Sequence, residues 1–167
     1  YPYQCVEQTV SKFLPNVITY RALQRLGQDK PDLRKNLEDA VNYAVGRLKS
    51  EQHGDGGWGW FYAEESNPLT TAYALLGLLE AKASDFPIDQ DMINRAIGFL
   101  LTQVTSANDR TEAYQMNRQA FVLFVLAKAN SSNVSVLDSL FVQRERMNLY
   151  ARAFMAQAYQ LANNDTD

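Results

Sequence analysis

Apolar residues recur at helical spacing along nearly the whole chain, and no run of alternating apolar and polar residues competes with them. The pattern predicts helices over about 5–27, 33–51, 69–83, 89–104, 112–130 and 145–162, with a shorter, weaker segment near 134–142. Breaks fall at Gly27 to Pro31, at Gly54-Asp55-Gly56-Gly57, at Pro68, at Phe86-Pro87 and at Asn130 to Asn133. Asp89 reads as the cap of the fourth helix and Asp91 as its first turn. Pro15 lies inside the first segment and is expected to kink or break it, because it removes a backbone donor. Short connections turn consecutive helices into antiparallel hairpins, so the fold class is all-α.

Composition narrows the functional classes. At 167 residues and 46% hydrophobic, the chain can bury a core as a single domain. A net charge of -3 without a basic stripe argues against nucleic acid. No apolar run approaches the roughly 18 residues that would suggest a membrane span. The chain opens Tyr1-Pro2-Tyr3 without an initiator Met, and is expected to be an excised piece of a longer protein whose targeting signal lies elsewhere. Its single Cys excludes an intramolecular disulfide and a Cys-rich zinc site, and leaves one reactive thiol.

That thiol belongs to the segment Cys5-Val6-Glu7-Gln8. In the first turn of a helix, residues three apart share a face, so a short Cys and a longer Gln can meet there. Attack of the Cys5 sulfur on the Gln8 carboxamide would expel ammonia and leave an internal thioester. Such a stored acyl group acylates any amine that reaches it, once and irreversibly. Glu7 either shuttles a proton during closure or is simply an acid in a first turn, where the helix dipole favours negative charge.

Antiparallel hairpins also imply that alternate helices run parallel and that the loops preceding them open at one end. Cys5 starts the first helix, the loop 53–68 precedes the third and the loop 105–112 precedes the fifth. Trp58, Trp60, Phe61 and Tyr62, with Tyr114 and Tyr3, are therefore expected to gather over Cys5 and Gln8 as an apolar cover that excludes water, the competing nucleophile. Trp58 and Trp60 also admit a plainer role as loop anchors packed on the core. Tyr114 could equally be an ordinary aromatic at the edge of the core, with its hydroxyl in water.

The stretch Tyr1-Pro2-Tyr3-Gln4-Cys5-Val6-Glu7-Gln8-Thr9 resembles the thioester segment of bacterial alpha-2-macroglobulins, and Gly56-Gly57-Trp58 followed by Leu69-Thr70-Thr71-Ala72-Tyr73-Ala74 is similar to the same family's thioester domain. The resemblance implies an α/α toroid, of which this chain would hold all or part. It implies a protease trap rather than an enzyme: a bait is cut elsewhere in the parent, and the exposed thioester captures lysine amines of the attacking protease. The only prosthetic feature implied is the internal Cys-Gln cross-link, with no metal and no cofactor. The implied location is the periplasm or the cell surface, and the implied partners are the target protease and the parent's other domains. Some complement relatives place a His in the loop before the fifth helix. Here Thr111 to Asn117 contains none, and Tyr114 is the positional match, which implies direct attack by amines.

Two other classes compete. His53, the only histidine, could pair with Cys5 in a cysteine-nucleophile enzyme, although beside a Gly-rich turn it is expected to face solvent. An inert helical interaction module is the third class. Gln52-His53-Gly54-Asp55-Gly56-Gly57-Trp58 also resembles the Gln/Trp repeat of squalene-type cyclases, but an Asp-rich ionising cluster is missing. Arg144-Glu145-Arg146 is expected to be a solvated face or a helix start.

Overall fold

Where the apolar spacing is helical, the backbone is helical, and where the breaks fall, side chains cap the ends. The computed structural model describes residues 4–28 and 31–164. Among them lie seven α-helices and no strand: α1 (Val6–Arg25), α2 (Pro31–Glu51), α3 (Pro68–Lys82), α4 (Gln90–Gln103), α5 (Ala113–Lys128), α6 (Val134–Val142) and α7 (Leu149–Asn164). The expected all-α class is therefore observed. Asn67 caps α3 by accepting hydrogen bonds from the Leu69 and Thr70 amides, with Pro68 at the first helical position. Asn133 does the same for α6 through the Val136 amide. Asp89 accepts from the Asp91 amide at 3.0 Å, the capping role expected of it.

Two expectations change. Of the kink or break expected at Pro15, the break does not occur: α1 runs through the residue without interruption. The residue sits on the exposed face, where water can serve the one carbonyl that loses its donor. The last helix begins at Leu149 rather than near 145, because Arg144–Arg146 forms a 3-10 turn, Met147 is extended, and Asn148 caps α7 by accepting from the Ala151 amide at 3.0 Å. Arg146 is no merely solvated residue: its guanidinium donates to the carbonyls of Asp109 at 3.2 Å and Thr111 at 2.8 Å, clamping the loop before α5.

The chain divides into two compact units, Tyr1–Ala96 and Ile97–Asp167. In the first, α1 and α2 are antiparallel. Arg47, late in α2, reaches the Gln4 carbonyl just before α1, while Arg34, early in α2, lies over the Tyr20 ring late in α1. Helix α3 runs parallel to α1: Ser11 and Tyr73 share a hydrogen bond of 3.1 Å near their starts, and Arg21 pairs with the buried Glu80 near their ends. The helices approach closely at Gly77, where an added Cβ would stand 2.9 Å from Val10 and 3.0 Å from Phe13. Val10, Phe13, Val17, Leu48, Trp58, Leu75 and Leu78 are inaccessible to solvent. Each such large side chain contributes about 1.5–3 kcal/mol on burial.

In the second unit α5 and α7 pack together. The Asn148 amide donates to Asn117 Oδ1 at 3.1 Å, and Phe154 meets Phe121 and Phe124 with ring centroids 5.2 and 5.3 Å apart. Helix α6 ties to α7 through Tyr159, whose hydroxyl donates to Asp138 at 2.7 Å. Burial and the neighbouring Asp138 carboxylate push the Tyr159 phenol well above its ordinary value.

Candidate functional site

The site begins where α1 begins. Cys5 is the N-cap of α1, with extended backbone, and Gln8 occupies the third helical position. Their side chains cap the helix reciprocally: the Gln8 amide donates to Cys5 Sγ at 3.5 Å, and the Cys5 amide donates to Gln8 Oε1 at 3.3 Å. A Ser or Thr normally fills the first position of such a capping box, and Glu or Gln the second. Here a thiol takes the hydroxyl's place, so the geometry that satisfies two orphan amides also brings sulfur and carboxamide into one small space. Cys5 is buried, 7% exposed, while Gln8 is exposed as a residue. Glu7 stands exposed in the same turn, and among the described residues no hydrogen bond joins it to either side chain.

A second ring of contacts holds this turn, and the sequence did not announce it. Gln4 is buried, and its side-chain amide donates to Thr9 Oγ1 at 3.2 Å while its carbonyl oxygen accepts from Lys12 Nζ at 2.8 Å. Thr9 in turn donates to the Cys5 carbonyl at 3.1 Å. From α2, Arg47 donates to the Gln4 main-chain carbonyl and is itself anchored by Glu51 at 2.9 Å. Gln4 and Thr9 flank the Cys5–Gln8 pair in sequence and could have been suspected; Arg47 lies 43 positions from Gln4, and nothing in its local pattern marks it.

The loop before α3 reaches the same end. The Val6 amide donates to the Trp60 carbonyl at 3.0 Å, so the first turn of α1 is tied to this loop as the parallel course of α1 and α3 requires. Trp58 is fully buried, its indole N–H donating to the Leu48 carbonyl at 2.8 Å, which is the loop-anchor arrangement. Trp60, Phe61 and Tyr62 are exposed beside it. Tyr114 lies in the first turn of α5, in the second unit, and is exposed; Tyr3 lies outside the described residues.

His53 does not face solvent as expected. It is half-buried, with Nδ1 2.9 Å from Ser66 Oγ and Nε2 3.0 Å from the Tyr62 carbonyl, and Ser66 also donates to Asp55 at 2.8 Å. Both ring nitrogens thus serve to fold the loop, because the Gly-rich turn bends back on itself and brings residue 53 against residues 62–66. No hydrogen bond joins His53 to Cys5, and both of its ring nitrogens are occupied by the loop. Gln52 is equally structural: its side-chain amide donates to the carbonyls of Gly56 at 2.9 Å and Met92 at 3.0 Å. The Gln/Trp likeness to cyclases is therefore a staple between helix ends. No group of three or more His, Cys, Asp or Glu among the described residues could hold a metal ion, and no described helix is long and apolar enough to cross a membrane.

The A-macroglobulin TED domain family model matches residues 1–119, which contain the capping pair, its supports and the loop. The chain belongs to that family. Among its relatives is an alpha-2-macroglobulin of Thermotoga maritima, 28% identical over 171 aligned residues, covering 96% of this chain and 11% of the relative. The chain is also similar to the native conformation of E. coli alpha-2-macroglobulin, with a TM-score of 0.77 and 26% identity over 97% of this chain and 11% of that one. A Salmonella alpha-2-macroglobulin reacted with methylamine matches with a TM-score of 0.71 and 26% identity, over 98% of this chain and 12% of that one. The chain thus spans about a tenth of the length of the relatives it matches.

Proposed function

We propose that Cys5 and Gln8 close an internal thioester and that this acyl group captures amines of an attacking protease. The observation that carries the reading is the reciprocal capping box, which sets thiol and carboxamide against each other in a chain of the A-macroglobulin TED domain family. In closure the Cys5 sulfur bonds to the Gln8 side-chain carbon, the carbon–nitrogen bond breaks, and the thiol proton leaves with the amide nitrogen as ammonia. In capture a lysine amine bonds to that carbon, sulfur departs, and a proton passes from nitrogen to sulfur. The protein is consumed once per event, so it is an inhibitor that acts stoichiometrically and not an enzyme. Relatives activated by trypsin and by porcine elastase are consistent in fold with such a trap.

Glu7, exposed in the same turn, is the nearest candidate to carry the proton during closure. Trp60, Phe61 and Tyr62 are the residues of the loop before α3 available to shed water from the acyl group. Cover by Tyr114 and Tyr3 rests on the family resemblance. The trap would work in the periplasm or at the cell surface, as part of a larger parent whose other domains carry the bait. No cofactor enters beyond the cross-link itself.

The test is intact mass. The protein prepared without denaturant should be lighter than its sequence by one ammonia; methylamine should then add at Gln8 and release a titratable thiol at Cys5. Cys5→Ala should lose both behaviours and keep its helical circular dichroism. Full mass with a freely titrating thiol, and no glutamate at position 8 to betray a hydrolysed ring, would defeat the proposal.

A further inference from the structure

Between Arg47 and the reactive carboxamide runs an unbroken line of polar contacts across one peptide group. The Arg47 guanidinium donates to the Gln4 carbonyl, and the amide on the other side of that same peptide, the Cys5 N–H, donates to Gln8 Oε1 at 3.3 Å. A peptide group is a conjugated dipole: drawing electron density toward its oxygen makes its N–H a stronger donor. From this geometry we infer that Arg47 is a positioning residue for thioester chemistry, acting through the Gln4–Cys5 peptide to polarise the acyl carbonyl of residue 8. The inference rests on the thioester reading and adds to it a residue on another helix.

When sulfur adds to the Gln8 carbon, the negative charge of the tetrahedral intermediate settles on Oε1, the atom the Cys5 amide already addresses. Preorganised donors aimed at a developing oxyanion lower a barrier because nothing need reorganise when the charge appears. A bond of 3.3 Å is long for a neutral acceptor and has room to tighten as charge grows. The same oxygen remains as the thioester carbonyl, so the same donor makes that carbonyl more electrophilic toward an amine. One device would serve both closure and capture, whose intermediates carry the charge on the same atom.

The surroundings keep the device in register. Glu51 holds the Arg47 guanidinium from within α2 at 2.9 Å, and both side chains are largely shielded, at 20% and 17% exposure, where a charge acts more strongly than in water. The buried Gln4 side chain, fixed by Thr9 and Lys12, prevents the peptide from rotating away from Arg47. Thr9 fixes the following carbonyl, that of Cys5, at 3.1 Å. A capping box needs none of these partners in order to cap a helix.

The experiment compares wild type with Arg47→Gln and Arg47→Lys in the intact protein. Three properties are read: the fraction lighter by one ammonia, the rate of methylamine opening, and the thioester carbonyl stretch with carbon-13 at Gln8. Arg47→Gln should slow methylamine opening on the order of tenfold, less than the roughly 10²–10³ typical of deleting an oxyanion donor outright. Its carbonyl band should move to higher frequency, and Arg47→Lys should restore part of both, because it returns the charge. A merely structural Arg47 would lower the melting temperature and leave the band in place. If Arg47→Gln does not fold, Arg47→Lys carries the test, with the same directions and a smaller size. A folded variant that closes and opens at the wild-type rate with an unmoved band overturns the inference and leaves the thioester standing. A wild type with no thioester band at all sinks both.

Discussion

The two units solve one problem, the connection into a later helix of a packed set, in different ways. In the first, the stretch between α2 and α3 is long and is pinned from inside: Trp58 is fully buried with its indole on the Leu48 carbonyl, Gln52 is buried on the Gly56 and Met92 carbonyls, and the Trp58 amide donates to the buried Thr71 hydroxyl at 2.9 Å. In the second, the stretch between α6 and α7 is a short 3-10 turn with the single apolar anchor Met147 buried, and its hold on the loop before α5 is from outside, through Arg146, an exposed residue reaching loop carbonyls. Pinning from inside costs sequence, since it demands a Trp, a Gln and crowded glycines at set positions. It yields a loop whose backbone can be presented to a neighbour, as the Trp60 carbonyl is to the Val6 amide at the first turn of α1. This pinned loop stands beside the Cys5–Gln8 capping pair.

The contrast can be broken by substitution. Trp58→Ala should be the most damaging, losing about 3–5 kcal/mol to the cavity and to the unpaired Leu48 carbonyl, as read by urea unfolding. Gly56 comes next: it holds φ at +92°, and a Cβ there would lie 2.3 Å from the Arg95 carbonyl oxygen, so Gly56→Ala should cost about 1–3 kcal/mol from backbone strain, with the clash in addition. Arg146→Ala, which removes only solvent-facing hydrogen bonds, should cost about 1 kcal/mol. Equal losses for Trp58→Ala and Arg146→Ala would show that inside and outside pinning are not different in kind.

The smallest effect should come from a surface contact of the first unit, between Lys49 and Asp89, 2.8 Å apart. The hydrogen bond from Lys49, and then the capping bond from the Asp91 amide, hold the Asp89 carboxyl below its usual range. A depressed acid stabilises the fold at pH values above its unfolded value, and that contribution disappears as pH falls through the folded value. Melting temperature should therefore decline slightly more steeply with acid in wild type than in Asp89→Asn. Parallel acid limbs would mean that the pair is too well solvated to matter.

Much of this was legible in the order of residues. Asp89 announced a helix start, since a short side-chain acceptor before a helical run has one obvious use, and Pro68 and Asn130 to Asn133 announced breaks, where the structure adds Asn67 and Asn133 as caps. Cys5 and Gln8 could be paired from spacing alone, because one helical turn fixes which side chains meet. Other features were hidden for equally physical reasons. Pro15 looked like a kink or a break, and the helix does not break there, because on an exposed face the lost bond passes to water. His53 looked solvated beside its glycines, but a turn that folds back supplies partners from residues 62 and 66, which no local pattern reveals. Arg146 looked like surface charge, and its acceptors lie more than 30 positions away.

Sequence by itself determined the helices, the breaks between them and the adjacency of thiol and carboxamide, because each depends on interactions within a few residues, whose geometry the backbone period sets. Tertiary structure alone decided that Arg47 addresses the peptide before Cys5, that Trp58 goes inward while Trp60 stays out, and that His53 serves the loop. Those outcomes depend on which helix ends come together, and contacts between distant segments leave no periodic trace along the chain.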